Sequence, residues 1–138
     1  MSNLTSAVVL AAGLVTSFTT VSAQITPASD KMSIVGCLKE EKDVPGLTPS
    51  AAERAGMSED FILVDAKTAP GSPVSGLALA PMYEIEGIEK STLKKHLGHQ
   101  VELEGRIAPV FSKDSDKSGL PDFNATSLKM LAATCPAK

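Results

Sequence analysis

The stretch Val101–Ile107, VELEGRI, alternates without a break. Val101, Leu103 and Ile107 fall on one face of an extended chain, and Glu102, Glu104 and Arg106 on the other. That period of two belongs to a strand with one face in a core and the other in water. The residues just before it, STLKKHLGH, carry a different signal. Leu93 and Leu97 repeat at i, i+4, Ser91 is a candidate N-cap, and Gly98 stands where helices stop. His96 falls in the last helical turn, where imidazolium interacts well with the carbonyl end. His99 follows the stop and leads into the strand. Any fold for this chain has to hold a short helix that ends at a glycine and feeds a half-buried strand.

Other strands follow from composition and period. Met32–Lys39, MSIVGCLK, is apolar and β-branched, and Gly36 inside it marks a bend or bulge. Phe61–Asp65, FILVD, is a second strand. Tyr83–Gly87, YEIEG, is a third, with Tyr83 and Ile85 on one face and Glu84 and Glu86 on the other. Ser127–Cys135, SLKMLAATC, closes the set as a strand, after a polar loop, SKDSDKSGLPDFNAT. The long connection Glu40–Asp60 contains TPSAAERAG, a helix signal with Thr48 as N-cap, Pro49 at the first helical position and Gly56 as stop. Three strands, a helix and two strands is the element order of the OB-fold, a partly open Greek-key barrel. The expected class is mainly β: a five-stranded OB-fold-like barrel with a short helix between strands 3 and 4 and a small helix in the strand 1–2 loop. A small five-stranded sandwich is the competing architecture.

The blocks IVGCL, FILVD, YEIEG, LKKHLGHQVELEG and LKMLAATC together resemble a group of small secreted bacterial proteins of uncharacterised function with OB-like barrels. The likeness runs from Ile34 to Cys135. It implies fold and export, and it carries no activity, because one fold hosts many functions.

Residues 1–23 read independently as a secretory signal peptide. The apolar run AVVLAAGLV, Ala7–Val15, is followed by TSFTTVSA, with Val21 and Ala23 in the small-residue positions before Gln24. The run is shorter than the roughly 20 apolar residues a membrane span needs. The leading MSNLTS holds neither Lys nor Arg. The expected organisation is a leader over 1–23, a polar linker over 24–31 and one domain over 32–138. The expected location is the periplasm or the medium, with no integral membrane span left after cleavage. In that compartment two cysteines, Cys37 and Cys135, are expected to pair. Closing a loop of about 100 residues stabilises a fold by about 4–5 kcal/mol in the chain-entropy model.

Charge and motifs narrow the function. A formal net charge of −3 and glutamates on the predicted outer faces oppose a nucleic-acid partner. The chain has no Trp and one Tyr to stack bases. No GxSxG and no glycine-rich phosphate loop points to catalysis, so no enzyme and no cofactor is expected. His96 and His99 could supply two metal ligands, but a zinc site needs three or four. The segment DSDKSGLPD, Asp114–Asp122, resembles the first part of a calcium loop through Asp114, Asp116 and Asp122, but its twelfth position is Ala125 rather than Glu. The leading expectation is therefore an exported, non-enzymatic OB-type module for a small ligand, a glycan or an envelope partner. By the habit of the fold, its contacts would be Phe61, Tyr83, the insert around Thr48–Met57, and Asp114 and Asp116. The alternatives are a Zn- or Ca-dependent protein using His96, His99 or the acidic loop, and a structural or stress-protective envelope protein.

Overall fold

The computed structural model describes residues 31–72, 78–108 and 119–137. The leader and most of the linker lie outside the described residues, as do Asp114 and Asp116. Five strands are present: β1 (Met32–Glu40), β2 (Phe61–Thr68), β3 (Met82–Glu86), β4 (Gln100–Ile107) and β5 (Asp122–Ala132). They form one mixed sheet in the order β1-β2-β3-β5-β4, and β4 returns to β1 to close the ring. All pairs are antiparallel except β3 with β5.

Alternation fills the ring. Ile34 and Leu38 of β1, Phe61 and Leu63 of β2, Tyr83 and Ile85 of β3, Val101 and Leu103 of β4, and Phe123 and Ala125 of β5 pack in one buried cluster. The Tyr83 and Phe123 rings meet edge to face, 6.0 Å apart. Tyr83 stays satisfied because its hydroxyl accepts a hydrogen bond from the Ala80 N–H at 2.9 Å. Gly36 sits at the predicted bulge: the β1–β2 register shifts between Val35 and Cys37. A side chain there would strike Leu63 Cγ and the Val64 carbonyl oxygen at 2.7 Å, so the close approach of the two strands requires glycine.

The helix before β4 is α2 (Lys90–Lys95), and it contributes Leu93 to the core. Its cap differs from the expectation. Glu89 occupies the N-cap position and makes no side-chain cap bond, while Ser91 lies inside the first turn. The stop is as read: His96 is the C-cap and Gly98 takes φ +76°. The Gly98 N–H then donates to the Leu38 carbonyl at 2.8 Å, and the Leu38 N–H to the His99 carbonyl at 3.1 Å, so the helix stop also joins β1. In the strand 1–2 connection, a 3₁₀ turn (Glu41–Asp43) precedes α1 (Ala51–Arg54). The N-cap of α1 is Ser50 rather than Thr48. Ser50 and Glu53 form a reciprocal capping box, which Thr48 is too far upstream to make.

Two further expectations change. Glu84 does not face water: it is 5 % exposed, beside Asp122 in the parallel β3–β5 pair. The last strand begins at Asp122 and ends at Ala132, so DFNAT is strand, and Cys135 lies beyond the strand's end.

Candidate functional site

β2 is apolar on both faces. Phe61 and Leu63 enter the ring, while Ile62 and Val64 point outward and are still buried. They belong to a second cluster outside the ring, with Cys37 of β1 and Val44 of the insert, and with Leu47, Met82, Leu120 and Cys135 packed against it. Two segments, together with Leu120 just ahead of β5, cover this outer face. One is the insert, which leaves β1 at Glu41. The other is the chain's last stretch, which leaves β5 and returns across β1, where Cys135 and Cys37 form a disulfide with Cα atoms 5.5 Å apart.

The cover is incomplete. A groove of about 650 Å³ opens beside the chain's last stretch. Its floor is the outer face of β1 and β2, with Val35, Cys37, Val64 and Ala66. Cys135, Pro136 and Ala137 form one wall, and Pro81 stands among the other lining residues. A second hollow of about 310 Å³ shares Lys39, Val64, Asp65 and Pro81 with it and adds Val44, Pro45 and Met82. The charged residues of the main groove are Lys39, Lys67 and Asp65. Asp65 is the one non-glycine residue with positive φ among the described residues, +54°, at the irregular part of β2. Strain at a non-glycine residue is concentrated at working sites more than elsewhere. A volume in this range suits a small molecule.

Of the residues expected to meet a ligand, Phe61 and Tyr83 lie elsewhere, and Asp114 and Asp116 fall outside the described residues. Phe61 and Tyr83 are each 1 % exposed in the ring's interior, so neither offers its side chain to a molecule at the surface. Asp122, the last carboxylate of the calcium-like segment, is a buried residue of β5. His96 and His99 do meet, with Nδ1 atoms 3.4 Å apart and rings edge to face. Among the described residues the metal-capable side chains that gather in threes are Glu41, Glu53 and Asp60, and this group includes neither histidine.

That carboxylate group closes the insert. The Glu41 N–H donates to the Asp60 carbonyl at 3.0 Å, which brings the two ends of the insert together. Glu41 is 2 % exposed. Burial, a hydrogen bond with Glu53 and the charges of Glu53, Asp60 and Glu84 push its carboxyl up to about 7. From α2, Lys94 pairs with Glu59 at 2.7 Å and Lys90 reaches the Glu59 carbonyl at 2.6 Å, fixing the far end of the insert to the helix.

No motif announces the groove, because its parts come from β1, β2, the residue before β3 and the C-terminal stretch. One local signal was available: FILV is a continuous apolar run, and a strand apolar on both faces needs cover on both. Comparison of the chain with protein-family models, with curated proteins and with solved structures gives no match.

Proposed function

We propose that this chain is an exported, non-enzymatic binding module of the OB type, and that its groove beside the disulfide holds a small anionic amphiphile. The groove itself carries the reading. Its floor and walls are mostly apolar, and its charged lining is two lysines against one carboxylate, in a chain of net charge −3. An apolar body bearing one carboxylate, sulfonate or phosphate complements that surface. The order β1-β2-β3-β5-β4 with a helix between β3 and β4 supports the OB assignment. The disulfide supports export, since such bonds persist mainly outside the cytoplasm. Among the described residues no helix is long and apolar enough to cross a membrane.

The test is a titration of isotope-labelled protein with an aliphatic carboxylate and with the uncharged alcohol of equal length. The carboxylate should move the amide signals of Val35–Lys39, Val64–Lys67 and Cys135–Ala137, and bind more tightly than the alcohol. Signals that move instead around His96 and His99 on adding zinc, with the groove silent, would favour a metal-dependent protein.

A further inference from the structure

The groove's wall, Cys135–Ala137, is attached differently from its floor. The ring's ladder ends at Ala132, which pairs with Gln100. Beyond it, the strap 133–137 is tied among the described residues by the disulfide to Cys37 and by the Cys135 N–H donating to the Gly98 carbonyl at 3.1 Å. The ring uses neither. β1 is hydrogen-bonded to β2 and to β4, and β5 to β3 and to β4, through residues that do not include Cys135. Cys37 keeps its ladder partners Val64 and Gln100 whether or not its sulfur is bonded. Breaking the sulfur–sulfur bond therefore removes the strap's covalent tie and no rung of the ring's ladder, and leaves the strap on the single Cys135 N–H bond to Gly98.

We propose that the disulfide is a redox gate on the groove: joined, it sets the strap as a wall and the anionic amphiphile is held; reduced, the strap moves away and the hold on the amphiphile weakens. This rests on the reading of the groove as a ligand site. The two sulfurs differ in access. Both line the groove, but Cys37 is 4 % exposed, whereas Cys135 is half-buried. A dithiol reductant attacks Cys135 Sγ as its thiolate. A new bond forms to that sulfur, the Cys37–Cys135 bond breaks, and Cys37 leaves as thiolate and takes a proton. The reductant's second thiol then displaces Cys135, which leaves as thiolate and is protonated in turn. Two electrons pass to the protein, and the reductant becomes a cyclic disulfide. The incoming thiolate uses the space that the ligand fills, so ligand and reductant compete. Linkage makes the effect reciprocal: a ligand that prefers the oxidised form makes the bond harder to reduce by the same factor.

The experiment uses the full chain, oxidised and treated with excess dithiothreitol, with anilinonaphthalene sulfonate as the anionic amphiphile. Amide spectra report the ring and the groove separately. In the oxidised form the probe should move the Val35–Lys39 and Val64–Lys67 signals. In the reduced form the β3, β4 and β5 signals should persist and the affinity should fall about tenfold, the loss of about one side chain's worth of apolar contact. Saturating probe should shift the dithiothreitol midpoint by the same factor. Cys135→Ser should behave as the reduced form, and removing Pro136–Lys138 with the disulfide intact should weaken binding too. Equal affinity in both redox forms overturns the gate and leaves the ligand site standing. Probe that misses the groove in the oxidised form overturns both. Loss of the ring signals on reduction makes the disulfide a staple of the fold, and the gate is then wrong.

Discussion

Glu41→Gln should make the protein more stable at neutral pH and leave it unchanged in acid. In the folded chain the Glu41 carboxyl is pushed up to about 7 from an ordinary 4.5, by burial first and then by Glu53, Asp60 and Glu84. The folded state thus holds this proton to higher pH than the unfolded chain does. Below pH 4.5 both states are protonated and the group adds no pH dependence. Between 4.5 and 7 the folded state binds more protons, so stability falls as pH rises. Above 7 the whole cost is present. At 1.36 kcal/mol for each tenfold change, the gap amounts to about 3 kcal/mol. That is a large share of a small domain's usual stability of about 5–15 kcal/mol. Glutamine keeps the shape and donates to Glu53 as the protonated acid does, without a charge to lose. Urea denaturation of wild type and variant from pH 4 to pH 8.5 measures this. The two should agree near pH 4 and separate progressively to about 3 kcal/mol by pH 8, the variant being the more stable. Parallel profiles would show that Glu41 ionises at its ordinary value, and that the insert is not closed around a retained proton.

Gly36→Ala should destabilise by about 1–3 kcal/mol, since the new methyl meets Leu63 Cγ and the Val64 carbonyl oxygen at 2.7 Å; a thermal melt with no loss would mean that the bulge is slack. Gly98→Ala should cost about 1–2 kcal/mol from backbone conformation alone, because nothing lies within 4 Å of the added methyl. His96→Ala should cost less, about 0.3–1 kcal/mol for a charge at a helix end, and a chelator should leave the melts of wild type and variant unmoved; a chelator effect lost in the variant would reveal a metal on the histidines. N-terminal sequencing of the protein collected after export should find Gln24 first, and an intact Met1 would remove the leader.

What the sequence made legible is what neighbours along the chain decide. Val101–Ile107 can be read because each residue's face follows from the one before it, and Gly98 because one residue accounts for the helix stop. Gly36 was readable as a bulge for the same local reason. The start of β5 was not. Asp122–Ala125 has the composition of a loop, and it is a strand because β3 lies parallel on one side and β4 antiparallel on the other. Both N-caps failed by two residues: at α1 the cap is Ser50, whose reciprocal bond with Glu53 closes, and at α2 it is Glu89, which makes no side-chain cap bond. Glu84 looked outward by alternation, but the outside at that point is occupied by the chain itself. The carboxylates of Glu41, Glu53 and Asp60 come within 4.8 Å without any spacing rule, since the ends of the insert meet only once β1 and β2 have paired.

The site follows from the same non-local contacts. Had β2 alternated through its first half, positions 62 and 64 would be polar and the outer face would need no cover. Ile62 and Val64 stand there instead, and each apolar side chain left in water would cost about 1.5–3 kcal/mol relative to burial. The insert answers with Val44 and Leu47 and the C-terminal strap with Cys135, leaving Ile62 fully buried and Val64 8 % exposed. The larger hollow lies beside the strap and the smaller one beside the insert, and Val64 lines both. The main hollow keeps its apolar floor, two lysines and the one positive-φ aspartate of the described residues, and its wall is tied to β1 by a reducible bond.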